Sequence, residues 1–128
     1  MISSIVARVS AAVLALAGFP LLFASDDLLP LLIPGMPSQA TWLGQLVAAA
    51  WLSIAFYNWN TRDTLLGGIY GRPAVLLNLG VYLVSALSLL KVGPALPLVR
   101  LGAIPLALLA IVYAVLLLRG PLDRSAGR

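Results

Sequence analysis

The segment Val99–Leu118, VRLGAIPLALLAIVYAVLLL, decides the fold class of this chain. It holds 20 residues and a single charged side chain, Arg100, which lies close to its start. An α-helix needs about 20 apolar residues to cross the roughly 30 Å hydrocarbon core of a bilayer. The segment is therefore predicted to be a transmembrane helix.

Three more segments of the same character precede it, and stretches that contain Pro and Gly separate them. We predict spans at residues 2–24, 41–59, 73–90 and 99–118. The chain is 62% hydrophobic and 9% charged, whereas a soluble domain is about 45–50% apolar and about 25% charged. The sequence thus predicts an all-α fold, a four-transmembrane-helix bundle formed by a single integral membrane domain, residues 1–128.

The basic residues predict how the bundle is oriented. If the N-terminus is cytoplasmic, the inner side carries six basic residues and the outer side two: Arg8, Arg62, Arg72, Arg119, Arg124 and Arg128 against Lys91 and Arg100. Short cytoplasmic loops carry an excess of Lys and Arg, so both termini are predicted to be cytoplasmic. The preference for Arg over Lys, with abundant Ala, Leu and Gly, is typical of a GC-rich bacterial genome. We therefore expect a multi-pass protein of the bacterial inner (cytoplasmic) membrane.

An apolar stretch that is too short to span follows the first predicted span: DDLLPLLIPGMP, residues 26–37. Asp26 or Asp27 is expected to cap a short helix, with Pro30 in its first turn and Pro34 at its end. Two placements are open for this segment. It is either an interfacial or slightly re-entrant helical turn on the outer leaflet, or a loop packed over the end of the bundle.

Three residue types are missing, and their absence narrows the chemistry. There is no Cys, no His and no Glu, which excludes thiolate nucleophiles, the usual zinc or haem ligands and the usual general base near neutral pH. The four acids, Asp26, Asp27, Asp63 and Asp123, all lie outside the predicted spans. We expect no catalytic residue, no metal and no cofactor. The net charge of +4 is interpreted as a sign of membrane topology and of affinity for anionic lipid, not of nucleic-acid binding.

Small residues form stripes at helical spacing in the first and second spans. Ser3, Ala7, Ala11 and Ala15 follow one another at intervals of four, and Gly44–Ala48 repeats the spacing in the second span. Small side chains let helix backbones approach closely in lipid. We favour a contact inside the monomer for the first stripe, and a contact between chains is the alternative.

Polar residues form stripes in the second and third spans. Their members are Gln45, Ala49, Ser53, Phe56 and Asn60 in one, and Asn78, Tyr82 and Ser85 in the other. Polar groups at membrane depth usually face inward and are paired, so both stripes are expected to face the bundle interior. There they either form interhelical hydrogen bonds or line a polar ligand pocket open to the cytoplasm.

The connection between the second and third spans is unusually polar: Phe56–Pro73, FYNWNTRDTLLGGIYGRP. Most of it is interpreted as a cytoplasmic turn with interface anchors, and GGIYG lacks the Lys-Ser/Thr ending of a P-loop. The candidate ligand-binding residues are Asn58, Asn60, Arg62, Asp63, Tyr70, Arg72, Asn78 and Tyr82. In that pocket the arginines would hold an anionic head group, the amides its hydroxyls or carbonyls, and the tyrosines would form apolar walls. Alternatively, Asp63 pairs with Arg62 or Arg72 at the water surface.

The order of segments resembles that of the small four-helix bacterial membrane proteins called DoxX-like. The resemblance covers the first span, the apolar DLLPLL (27–32) after it, and the later Tyr-Gly turn GGIYGRP (67–73). Typical relatives carry an acidic residue and an Arg-x-Tyr-Gly-Gly pattern in a span, whereas here the Gly pair precedes Tyr70. The resemblance implies a helical membrane bundle and no particular activity.

These observations favour a small non-catalytic membrane protein, an accessory or scaffold subunit that packs against a partner membrane protein or against itself. The alternative is a binder or carrier of a lipid-like or amphipathic small molecule through the cytoplasm-facing polar pocket. A membrane enzyme acting through Arg, Asn and Tyr is a third reading. The expected partners are membrane lipid and another membrane protein or a second copy of the chain.

Overall fold

The computed structural model describes residues 2–66, 69, 71–92 and 96–120, and all the regular structure in those ranges is helical. The elements are α1 (Ile2–Phe23), α2 (Ser25–Leu32), a 3₁₀ turn (Ser38–Ala40), α3 (Trp42–Asn60), α4 (Arg72–Leu90) and α5 (Pro97–Arg119). Four of the helices, α1, α3, α4 and α5, are long and apolar enough to cross a membrane. These four helices coincide with the predicted spans, with bounds that differ by at most two residues. The orientation of the bundle stays a prediction.

Proline marks where two of the long helices begin. Pro73 and Pro97 lie in the first turns of α4 and α5, where the missing N–H has no helical acceptor to lose. Pro20 lies inside α1 and removes one donor, yet the helix continues to Phe23.

The long helices are arranged as two closely packed pairs, α1 with α3 and α4 with α5. Ser3, Ala7 and Ala11 of α1 are buried within the chain, and Ala15 is half-buried. Ala48 of α3 is fully buried. Small side chains on both helices permit this close approach. The internal contact predicted for the first small-residue stripe is confirmed.

The main core lies between the two pairs and draws residues from all four long helices. Leu14 of α1 and Ala55 of α3 belong to the same buried cluster as Tyr82 of α4 and Tyr113 of α5. The two tyrosine rings are stacked, with centroids 5.8 Å apart. Larger side chains therefore fill the interface between the pairs, whereas small ones line the contact within the first pair.

Helix α2 folds back against the ends of α1 and α3. Its Leu29 is buried in a second, smaller cluster with Leu21 and Ala48. A Cβ on Gly44 of α3 would come within 2.6 Å of Leu29 Cδ1 and 2.7 Å of Ser25 Oγ. The packing of α2 on α3 thus requires glycine, which has no side chain, at position 44. Two placements were predicted for this segment, and the face of α2 that carries Leu29 packs over the end of the bundle. Leu31, on the opposite face, is exposed.

The predicted capping of this short helix by an aspartate is wrong. Helix α2 begins at Ser25, directly after α1 ends at Phe23, so Asp26 and Asp27 lie in its first turn and the capping position falls on Ala24. The carboxylates still suit the positive end of the helix dipole. Asp26 Oδ1 accepts a hydrogen bond from Thr41 Oγ1 at 2.6 Å, which ties α2 to the start of α3.

Candidate functional site

The structure separates the predicted ligand-binding residues into a buried and a surface group. Asn58, Asn78 and Tyr82 are at most 2% exposed. The surface group consists of Asn60, Arg62, Asp63 and Arg72. Tyr70 lies outside the described residues. The two groups have different surroundings.

The buried asparagines bond to each other across two helices. Asn58 Nδ2 donates to Asn78 Oδ1, and Asn78 Nδ2 donates to Asn58 Oδ1, both at 2.7 Å. The second amide hydrogen of Asn78 reaches the Ala74 carbonyl at 2.9 Å. The two amides therefore use their donors and acceptors for hydrogen bonds inside the chain. Their mutual bonds join α3 to α4.

Tyr82 belongs to a second buried polar group, which includes two residues that the sequence reasoning missed. The Tyr82 hydroxyl donates to the Ser10 carbonyl oxygen at 2.9 Å. Ser10 Oγ and the Tyr113 hydroxyl share a hydrogen bond of 2.8 Å. A signal was present: Ser10 follows Ser3 at an offset of seven, and Tyr113 is a polar group inside an otherwise aliphatic span, where inward orientation is the rule.

The inward orientation predicted for the polar stripe of α4 is confirmed. Asn78 and Tyr82 are buried, and half-buried Ser85 accepts from Trp51 Nε1 of α3 at 3.4 Å. All three side chains thus bond to other helices. Among the described residues, every buried side-chain nitrogen and oxygen has a hydrogen-bond partner. The stripe accordingly cross-links the two helix pairs.

The inward orientation predicted for the polar stripe of α3 is wrong. Its five members, Gln45, Ala49, Ser53, Phe56 and Asn60, are all exposed on the monomer. The reason is that α3 turns a different face, Gly44, Ala48 and Ala55, toward the bundle. Close packing in lipid depends on small residues, and successive positions on a helix are about 100° apart. Burying Gly44 and Ala48 therefore carries Gln45 and Ala49 outward.

The hairpin residues after α3 bond mainly to their own chain segment. Asn60 Nδ2 donates to the Phe56 carbonyl at 2.8 Å. The Arg62 guanidinium donates to the Trp59 carbonyl and lies 4.7 Å from the centre of the Trp59 ring, a cation–π geometry. Asp63 is exposed and, in the described ranges, forms no ion pair with an arginine. The predicted surface pairing of Asp63 with Arg62 or Arg72 is therefore not what the structure shows.

The start of α4 is packed tightly against the hairpin. A Cβ on Gly71 would collide with the carbonyl oxygen of Leu65 and lie 3.2 Å from Leu66 Cα. The Leu66 N–H in turn donates to Ser3 Oγ at 3.2 Å. The beginning of α1, the hairpin and the beginning of α4 therefore meet at one end of the bundle.

Arg72 is brought together with a residue that the sequence reasoning missed, Arg119. Both line a cavity of about 270 Å³ at the junction of α4 and α5, together with Val75 and Leu116. Within the described part of the chain, its lining does not include Asn78 or Tyr82. Two guanidinium groups at one cavity suit an anion chemically. Ligand binding by the eight candidate residues stays a prediction.

Comparisons with family models, curated proteins and solved structures found no match to this chain. The DoxX-like resemblance accordingly stays a prediction that rests on the residues quoted for it.

Proposed function

We propose that the protein is a small non-catalytic integral membrane subunit, an accessory or scaffold that packs another transmembrane helix against the outward face of α3. The observation that carries the proposal is the exposure of Gln45, Ala49 and Ser53 at consecutive turns of one helix face. We further propose the bacterial inner membrane as its location, on the composition and charge distribution given above.

Two of these residues carry polar side chains within the span. At 1.5 Å per residue, Ser53 lies about 16 Å along α3 from Trp42, near the middle of a span of about 30 Å. Its hydroxyl is bonded to the Ala49 carbonyl at 2.7 Å. Gln45 lies one turn in from Trp42 and presents an exposed amide. Polar side chains at such depths normally face protein, and Ala49 and Ser53 leave room for a neighbouring backbone.

The buried polar residues support a structural role for the interior. The amides of Asn58 and Asn78 satisfy each other, and Tyr82 donates to Ser10. A polar pocket for an amphipathic ligand would have to break these bonds or use other groups. The surface of α3 is therefore the better supported site of interaction.

Cysteine cross-linking tests the proposal directly, because the natural chain has no Cys. Ala49→Cys and Ser53→Cys place a thiol on the outward face of α3. Val84→Cys is the matched control, since Val84 is 64% exposed on α4 and lies outside the stripe. Each variant is oxidised in native membranes and its products are resolved by denaturing electrophoresis.

We expect a defined product from the α3 variants and little from the control. A product of twice the chain mass identifies a second copy as the neighbour. A product of another fixed mass, formed with a bifunctional thiol reagent, identifies a different membrane protein. Equal, low yields at positions 49, 53 and 84 would contradict the proposal.

A further inference from the structure

A groove runs along the outer side of the α1–α3 contact. Its volume is about 390 Å³, within the range of small-molecule sites. Ala11, Ala12 and Ala15 form the α1 wall, and Leu52 and Phe56 stand on the α3 side. The groove lies where the methyl side chains of α1 stand between the larger Arg8 and Phe19.

The groove has about the length of one membrane leaflet. Its α1 wall extends from Arg8 to Phe19, which is about 16 Å at 1.5 Å per residue. Half of a roughly 30 Å hydrocarbon core is about 15 Å. The α3 wall, from Leu52 to Trp59, lies in the half of α3 that ends at Asn60. The groove is thus apolar over one leaflet depth.

Basic residues lie at one end of the groove, whose lining is otherwise apolar. Arg8 lines it, is exposed, and has no carboxylate partner among the residues that the structure covers. Trp59 lines the same end and carries the Arg62 guanidinium over its ring at 4.7 Å. Arg8 lies six residues after the start of α1, and a long arginine side chain near a helix end extends toward the membrane surface and its polar groups. Tryptophan is the residue type enriched where lipid head groups begin.

We propose that this groove binds an anionic phospholipid, with one acyl chain along the alanine wall and its phosphate on the Arg8 guanidinium. The apolar length suits the chain, and the unpaired cation at the mouth suits the phosphate, which arginine holds through paired charge-assisted hydrogen bonds. Arg62 adds a second positive charge at the same mouth. The inference does not rest on the proposed function, because the groove is complete in a monomer.

Native mass spectrometry of the full chain tests the charge requirement. The protein is reconstituted into bilayers of equal phosphatidylglycerol and phosphatidylcholine, released in mild detergent, and its retained lipids are counted. We expect preferential retention of phosphatidylglycerol. Arg8→Gln should lower the retained glycerol-to-choline ratio about fivefold, the effect of one basic residue near an anionic surface. Arg100→Gln removes an exposed charge from the start of α5, outside the groove, and should leave the ratio unchanged.

A second pair of variants tests the groove itself. Ala12 is exposed in the groove wall, so Ala12→Phe should fill it without entering the core. Ala50→Phe places the same ring on an exposed position of α3 that does not line the groove. We expect Ala12→Phe to lose one retained lipid per chain and Ala50→Phe to keep it. An unchanged ratio in Arg8→Gln, or an unchanged count in Ala12→Phe, would overturn the proposal. Circular dichroism confirms that each variant keeps its helical content.

Discussion

The side-chain amides of Asn58 and Asn78 are each other's donor and acceptor, with both N···O distances at 2.7 Å. The two residues belong to different helix pairs, since α3 packs closely with α1 and α4 with α5. Both are almost completely buried. The amide pair is therefore a specific polar link between the two halves of the bundle, and its burial within the protein shields it from water.

Replacement of both asparagines should cost less than the sum of the two single replacements. Asn78→Leu leaves the Asn58 amide buried without its partner, and we expect the free energy of unfolding to fall by about 1–3 kcal/mol. The double variant Asn58→Leu/Asn78→Leu removes both groups, so its loss should be smaller than the sum of the single losses. Reversible unfolding in mixed micelles with increasing sodium dodecyl sulfate measures each value.

The matched control for this series is Asn60→Leu. Asn60 is exposed and its amide bonds only to its own helix, so the change should stay within about 0.5 kcal/mol. Strictly additive losses for the Asn58 and Asn78 variants would show that the two amides are not coupled; the expected coupling is about 0.6–1.7 kcal/mol.

The Ser10–Tyr113 hydrogen bond should also be measurable. Tyr113→Phe removes the hydroxyl that meets Ser10 Oγ at 2.8 Å, and we expect a loss of about 0.5–1.5 kcal/mol in the same unfolding assay. Ser10→Ala should cost a similar amount, and the double variant should cost less than the sum. Tyr57→Phe is the control, because Tyr57 is half-buried and contributes no hydroxyl to this group. Equal losses in Tyr57→Phe and Tyr113→Phe would argue against a specific bond.

The close approach at Gly71 predicts a position-specific effect of adding a methyl group. Gly71→Ala would force the backbone of Leu65 to move, and we expect a loss of about 1–3 kcal/mol. At Gly80 an added Cβ meets no heavy atom within 4 Å. Gly80→Ala should be neutral or stabilise the protein by up to about 1 kcal/mol through helix propensity. Unfolding curves recorded in parallel measure the change in the free energy of unfolding for both variants. No loss in Gly71→Ala would contradict the close packing of the hairpin.

The orientation of the bundle is testable with fusions at two positions. A reporter enzyme that is active only outside the cytoplasm should be inactive after Arg128 and active when inserted at Ser38, because six basic residues against two favour an inner C-terminus. A reporter that is active only in the cytoplasm serves as the reciprocal control. Activity in the opposite pattern would invert the topology and would place the mouth of the α1–α3 groove in the outer leaflet.

The four spans could be predicted because bilayer thickness sets the length of an apolar helix, as Val99–Leu118 and the observed Pro97–Arg119 show. The outward stripe of α3 could not be predicted in the same way. The polarity of Gln45 favours an inward position, and so does the small size of its neighbour Gly44. Both cannot face inward, and the packing of α1 and α2 on Gly44 decides which one does.

The candidate site shows the same limit. Asn78 and Tyr82 were predicted to face inward because polar groups in lipid need partners, and they do so. Asn58 and Asn78 are predicted to lie together because a short connection joins their spans, but the Ser10 partner of Tyr82 depends on the packing of α1 against α4, which sequence spacing does not show. The meeting of Arg72 and Arg119, which are 47 positions apart by number, depends on the α4–α5 contact in the same way.

The pairing of the long helices also bears on how the protein is made. Each close pair is continuous in the chain, α1 to α3 over residues 2–60 and α4 to α5 over residues 72–119. Contacts within the first pair need only residues 2–60, whereas the bonds from Asn58 to Asn78 and from Ser10 to Tyr113 need the second half of the chain as well. The molecule is thus built as two hairpins, each continuous in the chain. A gene divided between the codons for Asp63 and Thr64 should accordingly yield two fragments that insert separately and reassemble in the membrane.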